Sequence, residues 1–266
     1  MVTAADGVPS GHAPRRVILL GASNLVRDLP TVIDTARLVW GGPLDLLAAV
    51  GHGRSFGMQS SFLGRSLPGI KGCGLWQALS KRPPAPTAAL VADIGNDVLY
   101  GASVDQIAGW VQSCLARLTA VATHIVVVPP PVDHLDSLSV WRFLALRSLF
   151  FPRSRVDMKA AVDGARELHE RVLTLAAGHG ALVVSPRREW YGLDPIHIKR
   201  HHRSAAWREI LVSWSAGELR AAVAGSVARR TSLPRLRPLC RTLFGLRQRR
   251  SQPCGTLPDG STISLY

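Results

Sequence analysis

The sequence predicts an α/β domain of three layers, with helices on both faces of a five-stranded parallel sheet. Two observations predict it. Five short, continuously apolar runs recur up to Val184, as expected of strands buried on both faces. Segments with apolar residues at helical spacing lie between them, and such regular strand–helix alternation builds a parallel sheet covered on both sides.

The first run, Arg16-Val17-Ile18-Leu19-Leu20, ends at Gly21. A helix follows, with Ser23 at its start. Leu44 to Val50 is the second run, ending at Gly51, and Ala88 to Ile94 the third, ending at Gly95. Val104 to Val121 carries Ile107, Val111, Cys114, Leu115 and Leu118 on one helical stripe. His124 to Val128 is the fourth run. Pro129-Pro130-Pro131 stops it, because proline has no N–H to give a ladder. Ser139 to Phe151 reads as a helix whose Phe143, Leu144, Leu146, Phe150 and Phe151 face a core, or else form a lid or acyl-chain wall. Met158 to Leu175 repeats the helical stripe, Ala181 to Val184 is the fifth run, and Arg203 to Trp214 is the last helix of the domain. No internal repeat is visible.

The chain has 266 residues and is 47% hydrophobic, enough for one large core or two small ones. Its division reads as a flexible N-terminus over 1–14, polar and rich in Gly and Pro, a domain over 15–216, and a basic C-terminal extension over 217–266. Within the extension, Ala216 to Val227 is a helix candidate and Thr231 to Pro253 an Arg-rich segment broken by Pro234 and Pro238. The net charge is +14, and half of it lies beyond residue 216, where nine Arg face two acidic residues. Leu236, Leu239, Leu243, Phe244 and Leu246 alternate there with arginines, a basic amphipathic pattern that suits an anionic membrane surface. No recognisable nucleic-acid module supports nucleic acid as a partner. Ile263, Leu265 and Tyr266 give the end of the chain an apolar face able to pack back onto the domain.

Four widely spaced cysteines with no CxxC pair argue against a zinc ribbon or a disulfide scaffold. The N-terminus lacks the apolar run of a signal peptide, and no segment has the length of a membrane span, so the expected location is cytoplasmic.

Four segments at strand ends carry chemistry. Ser23 follows the first strand, at the carboxyl edge where open α/β sheets bind ligands; a helix cap is the bland alternative. Gly53, in Gly51-His52-Gly53-Arg54-Ser55, allows a backbone N–H to approach a ligand, with Gly51 two residues away as its rival. Asn96 offers a side-chain amide to a developing oxyanion, or an Asx turn. Asp194-Pro195-Ile196-His197 pairs an imidazole with a carboxylate able to fix its tautomer. These residues supply a serine nucleophile, oxyanion donors and a His–Asp base, and their order along one sheet edge is what joins them.

On these four segments the chain resembles the SGNH hydrolases, the GDSL-type esterase/lipase superfamily, over roughly residues 15 to 215. The resemblance implies a flavodoxin-like strand order, and Ser23 as nucleophile with Asp194 and His197 completing the catalytic set. It implies an oxyanion hole from Ser23, Gly53 and Asn96, and a small-molecule, carbohydrate or lipid ester as substrate, with no cofactor. Ala22 stands where that family has the Asp of Gly-Asp-Ser. A non-catalytic binding protein that keeps the fold is the competing class. Gly53-Arg54-Ser55-Phe56-Gly57 also fits a Gly-x-Ser-x-Gly elbow with Ser55 as nucleophile, although only one strand precedes that run's own strand. His201 and His202 near His197, with Asp93 and Asp97, suggest a metal site only weakly, since no HExxH spacing is present.

Overall fold

The computed structural model describes residues 14–133, 135, 138–152, 154–215 and 225–266. The expectation for the N-terminus therefore lies outside the described residues, apart from residue 14, and so does most of the Ala216–Val227 helix candidate.

In chain order the elements are β1 (Arg15–Leu20), α1 (Ser23–Trp40), β2 (Leu44–Ala49), β3 (Ser60–Phe62), β4 (Arg65–Leu67), α2 (Leu75–Ser80), β5 (Thr87–Val91), α3 (Asn96–Leu99), α4 (Val104–Thr119) and β6 (His124–Val127). There follow α5 (Val140–Phe150), α6 (Met158–Gly178), β7 (Leu182–Val183), α7 (Arg203–Leu211), α8 (Val227–Ser232), β8 (Cys240–Leu243), β9 (Leu246–Arg249), β10 (Gly255–Thr256) and β11 (Thr262–Leu265).

The five foreseen strands are parallel neighbours in the order β2-β1-β5-β6-β7, the flavodoxin-like arrangement. Side chains alternate strictly between two cores, because successive Cβ atoms of a strand point to opposite faces. Val17 and Leu19 of β1 pack with Leu46, Ala48, Leu90 and Trp207, the α1/α7 side. Ile18 and Leu20 pack with Leu47, Val91, Val111 and Leu168, the α4/α6 side. Burial on both faces explains why these strands are predominantly apolar; the buried charged exceptions, Arg16 of β1 and Asp45 of β2, pair with each other at 3.0 Å.

The sheet has seven strands, not five, and the two additions come from the C-terminal segment. β11 pairs parallel with β2, Ile263 opposite Leu46, and β10 closes the edge antiparallel to β11. Ile263 is 1% exposed and Tyr266 3%. A second sheet, β3-β4-β8-β9, is built from a hairpin after Gly53 and a hairpin of the Arg-rich segment. A boundary at residue 216 is thus corrected: the last 27 residues complete both sheets. The reason is that β11 brings only four residues, two of them polar, so its apolar content is too small to register as a strand in sequence. Among the described residues no helix is long and apolar enough to cross a membrane.

Ile263 fills the core between β2 and the α1 layer. Ile263→Ala is expected to lower the unfolding free energy by about 2–5 kcal/mol in urea titration. A change below about 0.5 kcal/mol would place the last strand outside the cooperative unit.

Candidate active site

Chain reversal at the carboxyl ends of β1, β2 and β5 gathers the four segments in one cleft. Ser23 is the first residue of α1. It does not cap the helix. Its Oγ lies 2.9 Å from His197 Nε2. The Asp194 carboxylate lies 2.6 Å from His197 Nδ1 through Oδ2, while its Oδ1 accepts the N–H groups of Ile196 (3.1 Å) and His197 (3.2 Å). Those bonds wrap the Asp194–His197 turn tightly around Pro195. Burial alone would push the Asp194 carboxyl up, but the imidazole and the two N–H groups hold it below the ordinary carboxylate range. His197 is buried, with the edge of Phe150 5.3 Å from its ring.

Ser23, Gly53, Asn96 and His197 border the same small cleft. Gly53 adopts a left-handed φ of 60°, which favours glycine. The phenol of Tyr100 donates to its carbonyl. Burial and then Asp97 push that phenol up to about 12, so it stays a donor at ordinary pH. Gly51 instead lines a second cavity. Asn96 opens α3, yet its side chain caps nothing, and its Nδ2 is buried without a partner among the described residues. A buried amide left unpaired costs about 1–3 kcal/mol, and it borders the cleft that holds Ser23.

Two residues missed in sequence position these groups. Asp93, two residues past β5, adopts a left-handed conformation, φ 58°. Its carboxylate accepts the N–H groups of Ala22 (2.9 Å), Asn24 (3.1 Å) and Leu25 (3.3 Å) and the Asn24 amide (2.7 Å). It serves the N-terminus of α1, where an anion is favoured. Asn24 also donates to the Ile196 carbonyl (2.8 Å) and accepts from the Ile198 N–H (3.0 Å). It therefore holds the backbone on either side of His197. The sequence signal available was adjacency: Asn24 follows Ser23, and Asp93 lies three residues before Asn96.

The elbow reading of Ser55 fails. Ser55 is fully buried, and its Oγ accepts the N–H groups of Gly57 (3.1 Å) and Met58 (2.7 Å), a turn within its own loop. Asp93 and Asp97 likewise serve backbone N–H groups, Asp97 accepting from Phe56 at 2.8 Å. His201 and His202 stack on one another. Among the described residues no three His, Cys, Asp or Glu side chains converge.

An apolar cavity of about 950 Å³, counting the space at its mouth, opens beside Ser23 and Asn96. Phe143, Leu146, Phe150 and Phe151 wall it, so the α5 segment forms a site wall and not chiefly core. Arg142 anchors α5 to the carbonyl of Leu193, just before Asp194.

No family model matches the chain, and no curated protein matches it. Among solved structures it is similar to a carbohydrate acetylesterase family member from Sinorhizobium meliloti, at 15% identity, 75% of this chain, 96% of that one and a TM-score of 0.49. It is also similar to the native aryl esterase of M. smegmatis, at 14% identity, 75% and 95% coverage and a TM-score of 0.46. A third is a member of the lipolytic protein G-D-S-L family from Veillonella parvula, at 9% identity, 75% and 97% coverage and a TM-score of 0.46. With every one of these TM-scores below 0.5, the functional reading rests on the site's own geometry.

Asp97 sits in this frame as a buried acid. Burial raises its carboxyl to about 6 from an ordinary 3.8, against the lowering effect of the Phe56 N–H and the Ser55 hydroxyl. A raised acid holds its proton longer when folded, so its penalty is absent below 3.8 and grows as pH rises to about 6, reaching ~3 kcal/mol. Asp97→Asn keeps an oxygen for the Phe56 N–H. Its stability in urea melts is expected to fall less between about pH 4 and 6 than that of the parent. Parallel stability curves would mean that Asp97 ionises without cost.

Proposed function

We propose that this protein is a serine ester hydrolase of the SGNH type. The observation that carries the reading is the continuous chain Asp194–His197–Ser23, closed by hydrogen bonds of 2.6 and 2.9 Å. It ends beside a buried amide, Asn96, that has no partner among the described residues.

His197 Nε2 takes the proton of Ser23 Oγ as the oxygen attacks the ester carbonyl carbon. Asp194 holds the Nδ1–H tautomer and stabilises the imidazolium. The carbonyl oxygen becomes an oxyanion and is received by the Ser23 and Gly53 N–H groups and the Asn96 amide. Asp93 binds the N–H groups of Ala22, Asn24 and Leu25, which leaves the Ser23 N–H for this role. Donors fixed before the reaction need no reorganisation as charge develops. The imidazolium returns its proton to the departing alcohol as the carbon–oxygen bond breaks. Water, deprotonated by His197, then attacks the acyl carbon; the bond to Ser23 Oγ breaks, the imidazolium returns the proton to Oγ, and the acid leaves. The apolar cavity against α5 suits the acyl chain. A non-catalytic binding role gives no account of a serine held on a His–Asp pair.

Ser23→Ala should lower hydrolysis of a p-nitrophenyl ester by about 10³-fold or more. Ser55→Ala should lower it far less, and the reverse ranking would sink the assignment.

Asn96→Ala should lower kcat by roughly 10²–10³-fold with little change in KM, because the amide acts on the oxyanion and not on the ground-state ester. A loss confined to KM would reduce Asn96 to a substrate-positioning role.

A further inference from the structure

A second cavity, about 1570 Å³ counting its mouth, lies on the far side of His52 from the reacting serine. His52 walls this cavity and the cleft of Ser23, Gly53 and His197 alike, so the two spaces adjoin. The segments that carry Ser23, Gly53 and His197 continue into it. α1 supplies Arg27, one turn beyond Ser23; the loop before Gly53 supplies Gly51 and His52; the segment after His197 supplies Arg200 and Arg203. β4 adds Arg65.

The lining is strongly and asymmetrically charged. Its four arginines face one carboxylate, Asp28. That carboxylate is already engaged by Arg203 at 3.1 Å and by the Trp207 indole N–H at 3.0 Å. Arg27, Arg65 and Arg200 have no carboxylate partner among the described residues. The cation density is felt locally. Burial, then Arg65, His197 and Arg27, hold the His52 imidazole down to about 4, so it stays neutral. Burial and Arg241 lower the Arg65 guanidinium below its ordinary value. Arg65 is half-buried while Arg27 and Arg200 stand exposed at the rim, and cations gathered around a concavity focus their field and favour an anion. Arg presents a planar fork that matches phosphate and carboxylate oxygens in pairs. A net lining charge of three positives suits a group of roughly two negative charges, as a phosphate monoester carries at pH 7. Leu67 and Leu236 offer the same cavity an apolar side for a carbon skeleton.

The direction of the chemistry fixes which part of the substrate faces this cavity. His197 must hand its proton to the leaving oxygen, so the alcohol lies on the His197 side. The acyl chain then takes the other space that opens at Ser23, the apolar cavity walled by α5. We infer that the basic cavity holds the alcohol of the ester, and that the substrate is an apolar acyl chain esterified to a phosphorylated alcohol. This inference rests on the ester-hydrolase reading of Ser23.

The test is a matched pair of esters below their micelle concentrations, 1-hexanoylglycerol and 1-hexanoylglycerol 3-phosphate. At low salt kcat/KM should favour the phosphorylated ester by about tenfold or more. That ratio should fall about tenfold in Arg200→Gln and further in Arg27→Gln/Arg200→Gln, two exposed positions whose change leaves the core intact. It should also fall as salt is added. Glycerol 3-phosphate should inhibit hydrolysis of the neutral ester at lower concentration than inorganic phosphate does. A ratio of one or less, with Ser23-dependent turnover of the neutral ester, overturns the inference and leaves the hydrolase reading standing. Equal inhibition by the two phosphates assigns the cavity to a free ion and also overturns it. No turnover of either ester, with no labelling of Ser23 by a fluorophosphonate, removes the hydrolase reading and the inference with it.

Discussion

The geometry of the site depends on one carboxylate, that of Asp93. Its left-handed backbone is unfavourable for a side chain bearing Cβ, by about 1–2 kcal/mol. Four hydrogen bonds to the start of α1 offset that cost, each strengthened because the acceptor is charged. They lock the end of β5 against the end of β1, and so fix Asn96 relative to Ser23. Asn24 extends the lock to the backbone on both sides of His197. Three segments far apart in sequence thereby become one rigid unit, which matters because small misplacements of reacting groups are costly in rate. The buried, apolar Ala22 leaves this task to a carboxylate from another strand.

Gly53 is held by a different device. Arg54, its neighbour, is fully buried, and its guanidinium donates to the carbonyls of Pro68, Val50 and Tyr266. Burying a guanidinium is expensive, and burial lowers its proton affinity. Saturating it with carbonyls is what makes the arrangement tolerable. The consequence is structural coupling: the loop carrying Gly53 is tied to the last residue of β11's extension, and Tyr100 grips the same loop from the α3 side. The final strand therefore supports the site as well as the sheet.

What was legible in sequence followed from burial. Strands covered on both faces are predominantly apolar, so β1, β2, β5 and β6 announced themselves, and β7, although half-exposed, is apolar too. Ser23 and Asn96 were legible because each stands shortly beyond such a strand, and Asp194 and His197 because of their spacing around Pro195 in the segment after β7. Elements whose stability comes from pairing were not. β3, β4, β8 and β9 are three or four residues long and half-exposed, with no pattern separable from a polar loop. β11 was hidden by its two polar positions, although Ser264 is buried and bonded to Arg82. The Ser139–Phe151 stripe was ambiguous for a physical reason: a helix facing a cavity and a helix facing a core carry the same apolar residues. Asp93 and Asn24 act through backbone groups of distant segments, and no local pattern reports such partners.

The cleft divides chemically at Ser23. On one side Phe143, Leu146 and Phe150 exclude water, and Phe150 covers the edge of His197. A dry wall there strengthens every interaction with the developing oxyanion, since charges attract more in a low dielectric. On the other side, beyond His52, arginines gather where water still enters. Two features separate the base from that positive charge. His52 stays neutral and adds nothing to the repulsion, and Asp194 sits 2.6 Å from the imidazole with its own charge secured by two N–H groups. The base thus works beside a cationic cavity with its counter-charge in direct hydrogen-bond contact.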